Sequence, residues 1–440
     1  MAVADVGVST SADVYEMLRQ QLLGELQQRN DVDPGDPVAI DGLARQLIDR
    51  HQTSARSGFG AVRIASPDVM AQRLGRAVRY GVLTAFLGDE PITDEVMIHG
   101  DDVSWYDPAG RLQTLDEPTS ESELRSIVDR LLAQVGIAVD EANPMIQAQV
   151  LDGRARLGVV IPPISDQLDV TIRFYREARA ELSTLVRNET LSDPAANLLA
   201  ACLYAPTGVL VVGEPGAGKT TLLNAMLRAA PETLHVRCCE DVPELQVGHL
   251  VGGRWKTRRP GPDGTGGVAL RELVRMALGM RPDLIVVGEV RGEEAYELTR
   301  AGNAGCGMLA TIHANSASLG LQALVSTAIM AAANVPEQTV RRIFAQTIDL
   351  VVFVAKEATH SVDAKRGRRR GVMEIATVCS VGGVAGEFVV EPLFRRDSFD
   401  RPLQRLEGAP LGEEFRQRLD RSLPAGVSIN ALLDGRASLL

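Results

Sequence analysis

The sequence predicts an α/β chain: a mostly parallel sheet wrapped by helices, preceded by a smaller α+β region and, before that, a short helical bundle. Three changes of pattern predict it. Apolar residues first recur at helical spacing. From about residue 89 the pattern turns to short alternating runs. From residue 208 apolar runs of strand length alternate with helical stretches, as parallel strands joined by crossover helices require.

The elements follow in order. Val14, Leu18, Leu22 and Leu26 lie four apart on one helix face, and residues 31–37, rich in Asp, Pro and Gly, stop that helix. Ile40, Leu43, Leu47 and Ile48 mark a second helix. Ser66 and Pro67 open a third, which carries Leu74, Val78, Val82 and Phe86. This bundle is assigned to residues 11–88. Residues 95–98 and 103–106 read as strands with a turn at 107–110. Ser120 and Glu123 fit a capping box before a helix carrying Leu124, Ile127, Leu131 and Leu132. Residues 145–150 and 155–161 flank Asp152 and Gly153, a hairpin signal, and 168–174 is a further strand. Residues 89–175 therefore form the α+β domain, and 176–192 a charged linker helix. In the domain at 193–395, strands are predicted at 209–212, 234–238, 284–287, 308–312 and 350–355, with helices between them; residues 372–378 return as a hairpin. Residues 396–440 read as a charged, partly helical tail.

Composition narrows the function. At 440 residues the chain has room for several cores, and a net charge of −11 with 4% aromatics argues against a nucleic-acid sheath built on stacking. The five cysteines show no metal spacing and read as core residues in a reducing compartment. Met1–Thr10 lacks a basic start and contains Asp5, so no signal peptide is expected. The uncharged stretches 194–213 and 301–336 are broken by Pro, Gly and polar residues, so neither is expected to span a membrane. A cytoplasmic location follows as the expectation.

The sharpest motif is Gly213, Glu214, Pro215, Gly216, Ala217, Gly218, Lys219, Thr220, which fits GxxxxGK[ST], with Thr221 beside it. It lies between an apolar strand and a helix, where glycines let backbone N–H groups wrap phosphates at a helix N-terminus. Lys219 would reach the β- and γ-phosphates of ATP, and Thr220 would hold Mg²⁺. The strand at 284–287 ends in Glu289, at the carboxyl edge where ligands of open α/β sheets sit, placed to orient water or bind Mg²⁺. Glu240 and Asp241 end another strand and offer metal or water duties, with a solvated acidic turn as the bland alternative. His313 follows the strand at 308–312 and suits phosphate sensing, although a lone His is usually structural. Phosphoryl transfer also wants a cation over the γ-phosphate. Arg156 and Arg173 on strands, and Arg254, Arg258 and Arg259 in a Gly/Pro-rich loop, all offer one. The basic run 365–370 reads most simply as a solvated hairpin tip.

Together these residues resemble the type II/IV secretion ATPases, and within them the tight-adherence (Flp) pilus branch, CpaF/TadA-like. The Walker A loop stands at 213–220, an Asp box at 239–247, Walker B at 281–291 ending Gly288, Glu289, Val290, Arg291, and a His box ending in His313, Ala314 and Asn315. Val139 through Met145, Arg156, Val160 through Pro163, and Thr171 through Arg173 are similar to the family's N-terminal domain. The resemblance spans roughly residues 80–395. It implies a RecA-like P-loop NTPase core and a hexameric ATPase peripheral to the cytoplasmic membrane, partnered with an inner-membrane platform protein. Glu240 and Glu289 would share Mg²⁺ and water, and Arg156 and Arg173 would meet the γ-phosphate. One departure is Cys306, which stands where the family's first His-box histidine is usual. The expected function is a motor for pilus assembly or protein secretion. The rivals are a conjugative or type IV secretion ATPase, a nucleic-acid motor, and a non-hydrolysing scaffold.

Overall fold

The structure, a computed structural model, describes residues 11–29, 36–57, 62–88, 92–107, 111–174, 181–247, 249–258, 260–261, 264–331, 335–357, 369–380, 388–409 and 411–440. The helix stop at 31–35, the turn at 108–110, residues 176–180 of the linker, Arg259 and residues 365–368 of the basic run lie outside these residues. The chain divides into two units, Met1–Glu177 and Ala178–Leu440.

The first unit begins with α1 (Ser11–Gln28), α2 (Pro37–Arg56) and α3 (Pro67–Ala77). Asp36 caps α2 by accepting from the Val38 N–H at 2.9 Å, with Pro37 in the first turn. Leu18, Leu22, Leu43, Leu47, Ile48 and Leu74 fill the space between these helices. The third helix is shorter than predicted. It ends at Ala77, and Gly81 at φ +52 turns the chain into a 3₁₀ segment, Gly81–Ala85. A Cβ at Gly81 would lie 2.6 Å from Glu123 Oε1, so only glycine fits. Val82, Leu83 and Phe86 therefore pack into the core of the sheet that follows.

That sheet comprises β1 (Glu95–His99), β2 (Asp102–Tyr106), β3 (Leu112–Thr114), β4 (Met145–Val150), β5 (Ala155–Val160) and β6 (Asp169–Phe174), with α4 (Glu121–Ala133) on it. The order is β3-β2-β1-β6-β5-β4, antiparallel throughout. Ser120 caps α4 by accepting from the Glu123 N–H at 3.3 Å. The other half of the predicted capping box does not form. Glu123 is buried and turned inward, where it accepts a 2.6 Å hydrogen bond from the Tyr15 hydroxyl of α1.

The second unit contains α5 (Leu182–Arg187), α6 (Asp193–Ala201), β7 (Gly208–Val212), α7 (Lys219–Arg228), β8 (His235–Glu240), β9 (Val251–Lys256), α8 (Leu270–Gly279), β10 (Leu284–Val287), α9 (Glu294–Asn303) and β11 (Gly307–Ile312). It continues through α10 (Ala317–Ala331), α11 (Glu337–Thr347), β12 (Leu350–Lys356), β13 (Arg370–Ser380), β14 (Phe388–Arg395), β15 (Gln404–Arg405), α12 (Glu413–Ser422) and α13 (Ile429–Leu433). One nine-stranded sheet runs β15-β14-β13-β12-β7-β11-β10-β8-β9. Strands β12 through β9 in that order are parallel; β13, β14 and β15 are antiparallel. Every residue of β7, β10 and β11 is buried, as strands covered on both faces require.

Two differences from the sequence reading stand out. The linker helix is only α5 among the described residues, because Leu182 and Leu185 are drawn into the second unit's core. Residues 396–440 are not a loose tail. Leu403, Phe415, Leu419, Ile429 and Leu432 belong to that same core, and Arg418 of α12 forms an ion pair with Asp349, which accepts the Gly208 N–H at 2.9 Å.

Candidate nucleotide-binding site

The phosphate loop joins β7 to α7 and folds as its glycines dictate. Gly213 lies flush against the Val354 carbonyl of β12, leaving no room for a side chain. Gly216 and Gly218 take φ +75 and +103, a conformation L side chains rarely adopt. Nothing lies within 4 Å of the position a Gly216 Cβ would occupy, so it is the φ value and not crowding that calls for glycine there. Lys219, buried at 7% exposure, donates to the carbonyls of Gly213 (2.9 Å) and Glu214 (3.1 Å). Thr220 and Thr221 occupy the first turn of α7, half-buried, where hydroxyls can reach a cation or phosphate.

Strand order sets the rest of the site. β11 runs between β7 and β10, so the residue after it lies between the ends of both neighbours. That residue is His313. Its Nδ1 is 2.9 Å from Lys219 Nζ, and its Nε2 contacts Glu289, which follows β10. The same Nδ1 lies 3.1 Å from the Gly213 carbonyl, so an ammonium that only donates and a carbonyl that only accepts both face this one ring nitrogen. Glu289 is also paired with Arg291. Lys219, His313 and Glu289 thus form a continuous line along the carboxyl edge of the sheet.

Glu240, at the end of β8, is 2% exposed. Its Oε1 accepts from the N–H groups of Glu244 (2.8 Å) and Leu245 (3.0 Å), while Oε2 is buried with no hydrogen-bond partner among the described residues. Burial pushes its carboxyl up to about 7, against the lowering pull of those two N–H groups. Gly288 permits the approach of this side chain to the end of β10: a Cβ there would meet Glu240 Cγ at 2.9 Å. Among the described residues no three His, Cys, Asp or Glu side chains cluster as a preformed metal site. Mg²⁺ held by a hydroxyl, phosphates and water-mediated carboxylates needs no such cluster, and the orphaned Glu240 Oε2 is a donor of the right kind.

Arg156 and Arg173 stand in the first unit, directly opposite each other on β5 and β6, with Arg173 exposed. Arg254 donates to the Leu245 carbonyl at 2.9 Å. Arg369 of the basic run is paired with Glu357 and Asp400, both at 2.8 Å. Cys306 is a buried packing residue whose thiol burial pushes up to about 11. Two residues here had no role assigned to them from the sequence. Arg291 touches Glu289, and Lys356 of β12 donates to the Pro215 carbonyl at 3.0 Å. The first was legible only as the end of Walker B, and the second depends on strand order.

The family described as Type II/IV secretion system protein matches residues 118–403. The chain belongs to this family. The match spans the first unit's sheet from α4 onward and nearly all of the nine-stranded sheet. Similar sequences include a putative conjugal transfer protein of Mycobacterium tuberculosis, 38% identical over 244 residues, 54% of this chain and 69% of that one. The type IV secretion system protein PtlH of Bordetella pertussis is 30% identical over 264 residues, 53% of this chain and 74% of its own. Among solved structures the ATPase DotB of Legionella pneumophila aligns with a TM-score of 0.46 at 20% identity, over 64% of this chain and 76% of that chain. The assignment to the secretion family rests on the sequence matches. No helix among the described residues is long and apolar enough to cross a membrane.

Proposed function

We propose that the protein is an ATP-hydrolysing motor that drives pilus assembly or protein secretion from the cytoplasmic face of the inner membrane. The observation that carries the proposal is the line Lys219–His313–Glu289 across the mouth of the phosphate loop in a secretion-family chain. With ATP in the loop, Lys219 exchanges its carbonyl partners for the β- and γ-phosphates. The backbone N–H groups of Gly216 and of Gly218 through Thr221 take the remaining phosphate oxygens. Thr220, with Glu289 and Glu240 through water, would hold Mg²⁺, which supplies positive charge against the developing negative charge of the phosphates. Glu289 and Glu240 orient a water in line with the γ-phosphorus. The water oxygen bonds to phosphorus as the bond to the β-phosphate oxygen breaks, and its proton passes to the carboxylate. His313, between the loop and Glu289, hydrogen-bonds the γ-phosphate and reports whether it is present. Arg156 and Arg173 supply the γ-phosphate cation. Two guanidiniums facing each other across a strand pair repel, and an anion between them relieves the repulsion.

The assembly consistent with this chemistry is a ring of six, peripheral to the membrane and docked on a platform protein, because a P-loop domain alone leaves the γ-phosphate side open. The N-terminal pattern at residues 139–145 favours the tight-adherence pilus branch. The names of the conjugal-transfer and PtlH relatives favour a conjugative or type IV secretion machine as the second reading. Steady-state hydrolysis by the wild type, Lys219→Ala and Glu289→Gln proteins tests the motor. The wild type should turn over ATP, Lys219→Ala should bind it poorly, and Glu289→Gln should bind it without turnover. Equal turnover by all three would refute the reading. Capture of a membrane platform protein, against stimulation by DNA, separates secretion from a nucleic-acid motor.

A further inference from the structure

The stem of the β12–β13 hairpin meets the phosphate loop at three successive points. The Val354 carbonyl abuts Gly213, Lys356 Nζ donates to the Pro215 carbonyl at 3.0 Å, and Arg370 Cδ lies 4.0 Å from where a Gly218 Cβ would be. Lys356 and Arg370 are partners across the ladder. The stem is held beneath them, because Arg369 is paired with Glu357 and the Glu357 N–H donates to the Arg369 carbonyl at 2.8 Å.

From this contact we propose that Lys356 is a positioning residue for the phosphate loop, acting through the peptide between Pro215 and Gly216. A trans peptide is planar, so its C=O and N–H point in opposite directions. An ammonium that holds the Pro215 carbonyl toward β12 therefore turns the Gly216 N–H the other way, away from β12. Gly216 lacks a Cβ and sits at φ +75, so nothing in its own side chain prevents that peptide from rotating. Lys356 supplies the restraint that glycine omits. The inference rests on the nucleotide-site reading and deepens it.

The consequence is specific. In a phosphate loop these N–H groups cradle the phosphates that ATP and ADP share, whereas the γ-phosphate is met by the strand-end residues. Loss of one aligned donor to a charged phosphate weakens binding about tenfold, or about 1.4 kcal/mol. Lys356→Met should therefore raise the dissociation constants of ATP and ADP by the same factor, about tenfold. The KM for ATP should rise in step, with a much smaller change in kcat. Lys356→Arg, which keeps the donor and the charge, should restore most of the affinity. The ratio of mutant to wild-type affinity should persist at 0.5 M salt, where a mere surface charge would be screened to a Debye length of about 4 Å.

Titration with ATP and ADP, with unfolding curves to confirm an intact fold, decides the matter. Unchanged affinity in Lys356→Met, a loss confined to ATP, or a loss that vanishes at high salt overturns the inference while leaving wild-type nucleotide binding in place. A wild type that binds neither nucleotide overturns the site reading and this inference together.

Discussion

Replacing Glu240 by glutamine should stabilise the metal-free, nucleotide-free protein, and only at neutral and alkaline pH. Glu240 is 2% exposed, and Oε2 has no hydrogen-bond partner among the described residues. Burial raises its pKa from 4.5 to about 7. The native state therefore holds a proton that the unfolded chain has released throughout the window between those values. Stability falls as pH rises wherever the native state binds more protons, so the wild type loses stability from pH 4.5 up to about 7 and is level above it. Each pKa unit is about 1.4 kcal/mol, which makes the total loss about 3 kcal/mol. Glutamine has no proton to release, and its amide oxygen can still accept from Glu244 and Leu245. Denaturant unfolding of the second unit in chelator, at pH 5 and pH 8, measures the difference. The variant should match the wild type near pH 5 and exceed it by about 2–3 kcal/mol at pH 8. ATP turnover should fall in the same variant. Equal effects at the two pH values, or destabilisation at pH 8, would refute the claim that an ionised, uncompensated carboxylate is held at this position.

Further outcomes follow from the same geometry. His313→Ala should bind ATP yet hydrolyse it at least tenfold more slowly, whereas Cys306→Ala should change turnover little; the reverse ranking in an ATPase assay would refute the assigned roles. Arg173→Ala and Arg156→Ala should each fold and bind ATP while losing hydrolysis, checked by nucleotide titration beside turnover. Arg418→Ala should destabilise the second unit by about 2 kcal/mol in denaturant unfolding, less than the 3–5 kcal/mol of a fully buried pair because Arg418 is 35% exposed. Gly213→Ala should abolish nucleotide binding by driving the loop off the Val354 carbonyl, with wild-type affinity the result that would contradict it.

The placement of much of the candidate site was legible because its residues are tied to strand ends. An apolar run that stops at a Gly, Glu or His announces both the strand and the edge where a ligand sits, so Gly213, Glu240, Glu289 and His313 could be named before any contact was known. What escaped were features decided by partners far away in sequence. β9 begins with Val251, Gly252 and Gly253, and only pairing with β8 makes it a strand. α12 is mostly charged, with Phe415 and Leu419 its only buried side chains, so it reads as a surface tail although those two residues reach the core. Glu123 had the spacing of a capping residue, yet Tyr15, 108 positions earlier, claims its carboxylate. Lys356 sits at the end of an ordinary strand, and nothing local marks it as a neighbour of the phosphate loop.

The Tyr15–Glu123 bond also bears on how this protein can be shortened. Its hydroxyl is the donor that lets a carboxylate sit inside the first unit, and Arg73 stacks 3.6 Å over the same ring. Trimming away α1 would strip that donor and open the pocket, leaving Glu123 facing a hole where an aromatic ring had been. The sheet behind α4 would then carry a wet, charged wound on the face meant to be sealed. A fragment of the first unit that begins at the sheet should aggregate or require Glu123→Leu to stay in solution, whereas one that retains residue 11 onward keeps the seal.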